Sequence, residues 1–379
     1  MKSECVNVLL GAGFSRPVNL PLVAEINDKF CQGLLGKFLR FSDSQWRWFD
    51  TQNEVQQYNG RLNENVYVTE YVYEVLISRF SNEFGDFNYE KFYSFLVACN
   101  EGYLKEVYDE AFCNYQDRIR PERRASPSLV LEYFKQYNFI DLDDSMNFLL
   151  ADLLAADFGG MDLVHLYGSF LQFLENYDKV NFFSLNHDLL LENILNQHHL
   201  SYSDGFSTNR SSIIGEDKRP LPNFQNSFPG TTKVYKLHGS INNRGFAVTE
   251  EEGHMHWKTG EIIYFRAEGP SDLHRAVRIN PDNGQILQSF NSDIRPQFLT
   301  GTLKESLIAS DYMYSVLYQD FEGSVSSGDD LLVVGYSFGD DHINSVLKNC
   351  KGSIINVNPL HKFPFGHALN IEKMDFLPF

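Results

Sequence analysis

The sequence contains no Cys-x-x-Cys pair. Its five cysteines, Cys5, Cys31, Cys99, Cys113 and Cys350, are scattered along the chain, which argues against a cysteine-based structural zinc site and against a disulfide framework, and fits reduced thiols in a cytoplasm. Basic charge is also scarce. The 32 Lys and Arg residues stand against 50 Asp and Glu, a formal net charge of −18, and a field of that sign repels phosphate backbones. Direct nucleic-acid binding is therefore not expected. Long apolar runs are missing too: Val8-Leu9-Leu10 is too short for the apolar region of a signal peptide, and no window reaches the roughly 18 uncharged apolar residues of a membrane span. A soluble, cytoplasmic protein without membrane attachment is expected. There is no internal repeat and no low-complexity tract.

What the sequence does have is a globular composition, with 43% hydrophobic and 22% charged residues over 379 positions. At about 150 residues per domain that is two to three domains, or one large domain with an insertion. Aromatic residues reach 15%, with 32 Phe and 20 Tyr, more than a single core needs. The surplus reads as an interface or a packed helical surface, and so as a homo-oligomer.

Residues 6–10 (VNVLL) form a short apolar strand that stops at Gly11, and a helix is expected from Leu22 onward. Between about 25 and 176 helical spacing dominates. Leu163, Val164, Leu166, Tyr167, Phe170, Leu171 and Leu174 make one stripe, and Met146, Leu149, Leu150, Leu153 and Leu154 a second. Loops are expected near Gly60, Gly85 and from Pro121 to Pro127. Strand signals return at 180–186, 231–240, 329–337 and 353–358, each an apolar run with a polar end, the pattern of parallel strands whose carboxyl ends face a ligand. The stretch HMHWKTGEIIYF suggests a small hairpin turning at Lys258-Thr259-Gly260. The expected class is α/β, a Rossmann-like parallel sheet with a large helical insertion or second helical subdomain.

Five strand ends carry chemistry-bearing residues. Gly11-Ala12-Gly13-Phe14-Ser15 lies between a strand and a helix, where backbone N–H groups can cradle a pyrophosphate and glycine permits close approach; a plain structural turn is the competing reading. Ser184-Leu185-Asn186-His187-Asp188 ends the second strand, where Asn and Asp also serve as caps and turns. Lys236-Leu237-His238-Gly239-Ser240 puts a histidine at a strand end, a place where a structural histidine is also common. Gly335-Tyr336-Ser337-Phe338-Gly339-Asp340-Asp341 follows the most apolar strand, and Val357-Asn358-Pro359 closes the last. His254 and His256 form an H-x-H without a third ligand at suitable spacing, so no metal site is expected. His198 and His199 fall at a helix end, Asp340 and Asp341 read as a cap and first-turn acid, and His342, His361 and His367 have no evident partner.

Taken in order, these motifs resemble the sirtuin-like superfamily: G-A-G-x-S followed by Leu20-Pro21, N-x-D after an apolar strand, a strand-ending H-G, a G-Y-S loop and a late Asn. The resemblance covers roughly 5–24 and 178–375. It implies a catalytic NAD-binding domain from 1–24 and 177–379, with 25–176 as a helical insertion. It further implies that Gly11, Ala12, Gly13, Phe14, Ser15, Leu20 and Pro21 bind the diphosphate and nicotinamide side of NAD. Asn186 and Asp188 would hold the nicotinamide ribose and carboxamide, His238 would be the catalytic base, and Gly335, Tyr336, Ser337 and Asn358 would hold the adenosine half. The chain lacks the four-cysteine zinc module of sirtuin deacylases, and Leu185 stands where that family usually has Gln. With the helical insertion and the G-Y-S-F-G-D-D-H sequence, these departures look like the bacterial antiphage branch, whose members hydrolyse NAD and of which some act beside a HerA-type ATPase.

The chemistry is coherent with that resemblance. Cleavage of the nicotinamide glycosidic bond passes through an oxocarbenium-like centre and needs a placed water and a base near neutral pKa, for which imidazole suits. An amide such as Asn186 can orient a hydroxyl or a water, and Asp188 can accept from the carboxamide or stabilise the electron-poor centre. NAD is then a substrate, with no zinc required. Two further readings are an NAD-dependent deacylase or ADP-ribosyl transferase, and a scaffold that senses NAD or ADP-ribose without turnover.

Overall fold

A computed structural model describes residues 3–40, 46–48, 64–100, 104–117, 132, 142–215, 217–252, 255–267, 276–289, 296–301 and 304–378. The chain divides into two compact units. One comprises Met1–Leu20, Ala155–Leu299 and Glu305–Phe379; the other comprises Pro21–Leu154 and Thr300–Lys304.

The first unit is built on six parallel strands: β1 (Ser3–Leu10), β2 (Tyr177–Ser184), β3 (Thr232–Lys236), β4 (Asp330–Val334), β5 (Ile354–Val357) and β6 (Leu369–Ile371). Their spatial order is β6-β5-β4-β1-β2-β3, and every neighbouring pair runs parallel. That is the doubly wound, Rossmann-like order, in which the strand sequence reverses between β1 and β4 and opens a crevice at their carboxyl ends.

The apolar runs follow from burial on both faces. Val6, Val8 and Leu10 of β1 point into one core with Phe182, Val234 and Val334. Leu9, one residue out of phase, points into the opposite core with Phe183, Tyr235 and Val333, as the two-residue period of a strand requires. The first core is covered by helices Leu163–Leu166, Gly168–Leu174 and Leu190–Gln197. The second is covered by Tyr312–Ser326 and Asp341–Leu347. A buried polar side chain sits in the central strand: Asn7 is fully buried, donates to the Ser324 carbonyl at 3.0 Å and accepts from the Asn181 amide at 3.0 Å. Both ends of its amide are thus satisfied, which makes the burial tolerable.

Three local features differ from the sequence pattern. The stripe from Leu163 to Leu174 is not one helix: Tyr167 breaks it, leaving Leu166 exposed while Tyr167 and Phe170 pack beneath the sheet. The hairpin is longer than its pattern suggested, because Gly239–Glu252 pairs with Met255–Arg266 and the latter strand runs straight through Lys258-Thr259-Gly260. Between Lys258 and Ile262 four steps face only two, from Thr249 to Ala247, so a bulge within residues 259–261 stands where a turn was expected. The first glycine loop enters a 3-10 helix, Ala12–Val18, that the pattern did not show, while the α-helix expected from Leu22 begins at Val23 with Leu22 as its cap.

The second unit holds helices Val23–Cys31, Glu64–Phe84, Tyr89–Asn100, Leu104–Asp117 and Leu142–Leu154. Met146, Leu149, Leu150 and Leu154 of the predicted stripe are buried. Part of the aromatic surplus is packed here, ring on ring: Phe80 meets Phe87, Phe92 and Phe95 edge-on, and Trp48 makes T-shaped contacts with Phe30 and Phe38. Trp48 is fully buried and its indole N–H donates to the Leu149 carbonyl at 2.9 Å, as a buried indole requires. Gly85 ends the second of these helices in a left-handed conformation, while Gly60 and the Pro121 to Pro127 segment lie outside the described residues. No helix among the described residues is long and apolar enough to cross a membrane.

Candidate active site

The sheet's hydrogen-bond ladder continues one residue past the strands and brings the loops into line. Leu185 N–H donates to the Leu10 carbonyl, Leu237 N–H to Ser184, Gly11 N–H to Val334 and Gly335 N–H to Val357, at 2.9 to 3.0 Å. The polar strand ends singled out in the sequence therefore lie side by side along one edge of the sheet.

The loops after β1 and β4 meet backbone to backbone at the reversal point. A Cβ on Gly11 would stand 2.6 Å from the Tyr336 Cα, one on Gly13 2.8 Å from the Gly335 Cα, and one on Gly335 2.4 Å from the Phe14 nitrogen. Gly335 also has φ +65°, the left-handed region that favours glycine. The Gly13 N–H donates to the Gly335 carbonyl at 2.9 Å. The N–H groups of Gly11 and Gly13, expected from the sequence to face a diphosphate, are thus engaged by the neighbouring strand and loop. Ala12 of the first loop and Ser337, Gly339 and Asp341 of the second are exposed. Phe14 is buried against Tyr167 and Phe170, and the Tyr167 hydroxyl donates to the Phe14 carbonyl at 2.8 Å. Burial, reinforced by the Asp188 charge, pushes the Tyr167 phenol up, so it remains a donor. Leu20 is buried in the same core, and Pro21 begins the other unit.

Ser15, Asn186 and Asp188 form a buried network. The Asn186 amide nitrogen donates to the Gly11 carbonyl and to Ser15 Oγ, both at 3.0 Å, and the Ser15 hydroxyl donates to Asp188 Oδ2 at 2.8 Å. The other Asp188 oxygen accepts the Leu190 N–H at 2.9 Å, which also fixes the entry of the following helix. Lys236, 5% exposed, donates to the Asp188 carbonyl and pairs with Glu192 at 3.4 Å. With both protons of the Asn186 amide committed, its oxygen is the atom left to accept a hydroxyl or a water.

His238 is 4% exposed. Its carbonyl accepts the Leu299 N–H at 2.7 Å, and Gly239, at φ +80°, leaves no room for a Cβ beside the Gln297 carbonyl. The His238 Nε2 lies 3.1 Å from the Nε2 of His342, so one imidazole donates and the other accepts. In the sequence His342 had no evident partner; it sits three residues past Gly339 in the loop already singled out. Asp340 caps the helix Asp341–Leu347 by position, as expected, though without a side-chain cap bond. The Tyr336 ring is buried and its hydroxyl accepts the Asp340 N–H at 3.0 Å and donates to Asn344 at 3.2 Å, so its side chain props the loop. Asn358 ties the next loop: its amide nitrogen donates to the Tyr336 carbonyl at 2.8 Å and its oxygen accepts from Leu360 and His361 N–H. His198 caps the Leu190–Gln197 helix, as the sequence indicated. His254 lies outside the described residues.

No family model and no curated protein matches the chain. Among solved structures it is similar to Sir2 in complex with the inhibitor EX-527, 2'-O-acetyl-ADP-ribose and a deacetylated p53 peptide, at 12% identity over 98% of this chain and 88% of that one, with a TM-score of 0.32. It is also similar to Sir2Tm bound to a propionylated peptide, at 13% identity over 99% and 89% of the two chains, with a TM-score of 0.33. The doubly wound fold itself is established by strand order and pairing, independently of these likenesses.

Proposed function

We propose that this protein is a sirtuin-like NAD glycohydrolase that cleaves NAD+ to nicotinamide and ADP-ribose. The observation that carries the reading is the alignment, on one sheet edge at the strand-order reversal, of the glycine loops, the Ser15-Asn186-Asp188 network and His238. Dinucleotides bind at such a reversal in doubly wound sheets. In the proposed reaction the C1'–N bond breaks with its electron pair going to nicotinamide. A water oxygen bonds to C1', and one of its protons passes to the imidazole of His238. The Asn186 oxygen orients the water or a ribose hydroxyl, and the Asp188 charge, close behind, favours the cationic centre.

Ala12 and Ser337, both exposed, are accessible to the dinucleotide, and Asn358 supports the adenosine side. Asn358→Ala is expected to raise KM more than it lowers kcat, because it loosens binding remote from the broken bond. It should also lower stability by about 1–2 kcal/mol, through loss of the tie to the Tyr336 carbonyl. Steady-state kinetics and a thermal melt on the same variant check both.

The reading includes a biological role as a triggered antiphage effector that depletes NAD, acting as a homo-oligomer and beside a HerA-type ATPase. Unregulated NAD loss would harm its own cell, which favours an inactive resting state. The test is NAD+ turnover with and without candidate partners, in parallel with an acylated-lysine peptide. Equimolar nicotinamide and ADP-ribose without peptide is expected. Release that depends on the peptide, with acyl transfer to ADP-ribose, would assign the deacylase reading instead.

A further inference from the structure

We propose that His238, Asp340 and His342 form a binding site for a zinc-class divalent cation, and that occupation of this site blocks the base. The second half rests on the glycohydrolase reading; the first does not. One ligand atom from each of the three residues, two imidazole nitrogens and a carboxylate oxygen, lies within 4.8 Å of the other two, and the two Nε2 atoms are 3.1 Å apart. Two imidazole nitrogens bound at ~2.0–2.1 Å to one tetrahedral Zn2+ stand about 3.3 Å from each other. The pair is therefore already at the spacing a cation would impose, and rotation of the Asp340 side chain brings in the carboxylate. A two-histidine, one-carboxylate set with an open fourth position suits Zn2+ and its neighbours and not Mg2+ or Ca2+.

The supporting residues hold these groups in place. The Tyr336 hydroxyl accepts the Asp340 N–H at 3.0 Å, and the Tyr318 hydroxyl donates to the His342 carbonyl. Asn344 donates to the carbonyl of Phe338 at 2.9 Å, which fixes the loop where Phe338 adopts φ +60°. The Leu299 N–H anchors the His238 carbonyl on the other side. These bonds anchor the backbone that carries the three side chains. The cation takes the same Nε2 lone pair that would accept a proton, so the metal-bound protein cannot use His238 as a base.

The experiment titrates purified, metal-stripped full-length protein with Zn2+ by calorimetry and with Co2+ by visible absorption, alongside Asp340→Asn and His342→Ala. Asp340→Asn keeps a residue suited to the helix cap, so it reports on the ligand even where His342→Ala folds poorly. One cation per chain is expected, with tetrahedral Co2+ bands. Each variant should weaken binding by more than the roughly 10-fold to 100-fold typical of losing an outer partner. NAD cleavage should fall as Zn2+ fills the site and return with a chelator. Absence of stoichiometric binding, or equal binding by both variants, overturns the site. Binding with unimpaired or increased NAD cleavage overturns the inhibitory role. Binding to a protein that never cleaves NAD leaves the site standing and removes the glycohydrolase reading.

Discussion

His238→Ala is expected to lower nicotinamide release by about 100-fold to 10,000-fold, the range over which a general base contributes, while NAD affinity changes little. The imidazole is buried at a strand end with its backbone fixed on both sides, so its loss removes the accepting nitrogen without dismantling the loop. Asn186→Ala should be similarly damaging. Its amide nitrogen bridges the Gly11 carbonyl and Ser15, and the proposed reaction uses its oxygen. The double variant should lose little beyond either single one, since groups acting as one unit are strongly non-additive. A purely structural His238 predicts something else: a lower Tm, with NAD cleavage in proportion to the folded fraction. Melting temperature, NAD affinity and nicotinamide release on the three variants separate the two.

The second large effect concerns the joint between the glycine loops. Gly335→Val is expected to cost about 2–5 kcal/mol, combining ~1–2 kcal/mol for a left-handed conformation with ~1–3 kcal/mol for overpacking. Its Cβ would lie 2.4 Å from the Phe14 nitrogen and 2.5 Å from the Gly13 carbonyl carbon, and backbone cannot swing aside. Gly13→Val should follow, by about 1–3 kcal/mol from overpacking alone. Gly339→Ala is the control, because its Cβ would meet only Ser337 Oγ at 3.6 Å, an ordinary contact. Chemical denaturation checks the order of the three. A Gly335→Val protein as stable as the parent would mean that the two loops do not meet as described.

The strand ends were legible in the sequence for a physical reason. A strand buried on both faces must be apolar nearly throughout, so Val6 to Leu10, Phe182-Phe183 and Leu331 to Val334 stand out, and the first polar residue marks the edge. What stayed hidden depends on distant pairs. His238 and His342 are 104 residues apart in sequence and belong to different crossovers, so no local spacing could show that they meet, or that Asp340 joins them. Gly13 reads as a phosphate-loop glycine by pattern, yet the atom that requires its missing side chain is the Gly335 Cα, more than 300 residues later. The break at Tyr167 was masked because its ring and Phe170 keep helical spacing while its hydroxyl is called away to Phe14. The aromatic excess, read as an interface or a packed helical surface, is spent in part on ring pairs inside the helical unit.

The most direct test of the central claim is a time course of NAD+ and its products with purified protein, alone and with candidate partners, resolved by chromatography. The account predicts that NAD+ disappears with equimolar appearance of nicotinamide and ADP-ribose, and that folded His238→Ala protein leaves it intact. NAD+ bound yet recovered whole under every activating condition, or cleaved equally well by folded His238→Ala, would contradict it.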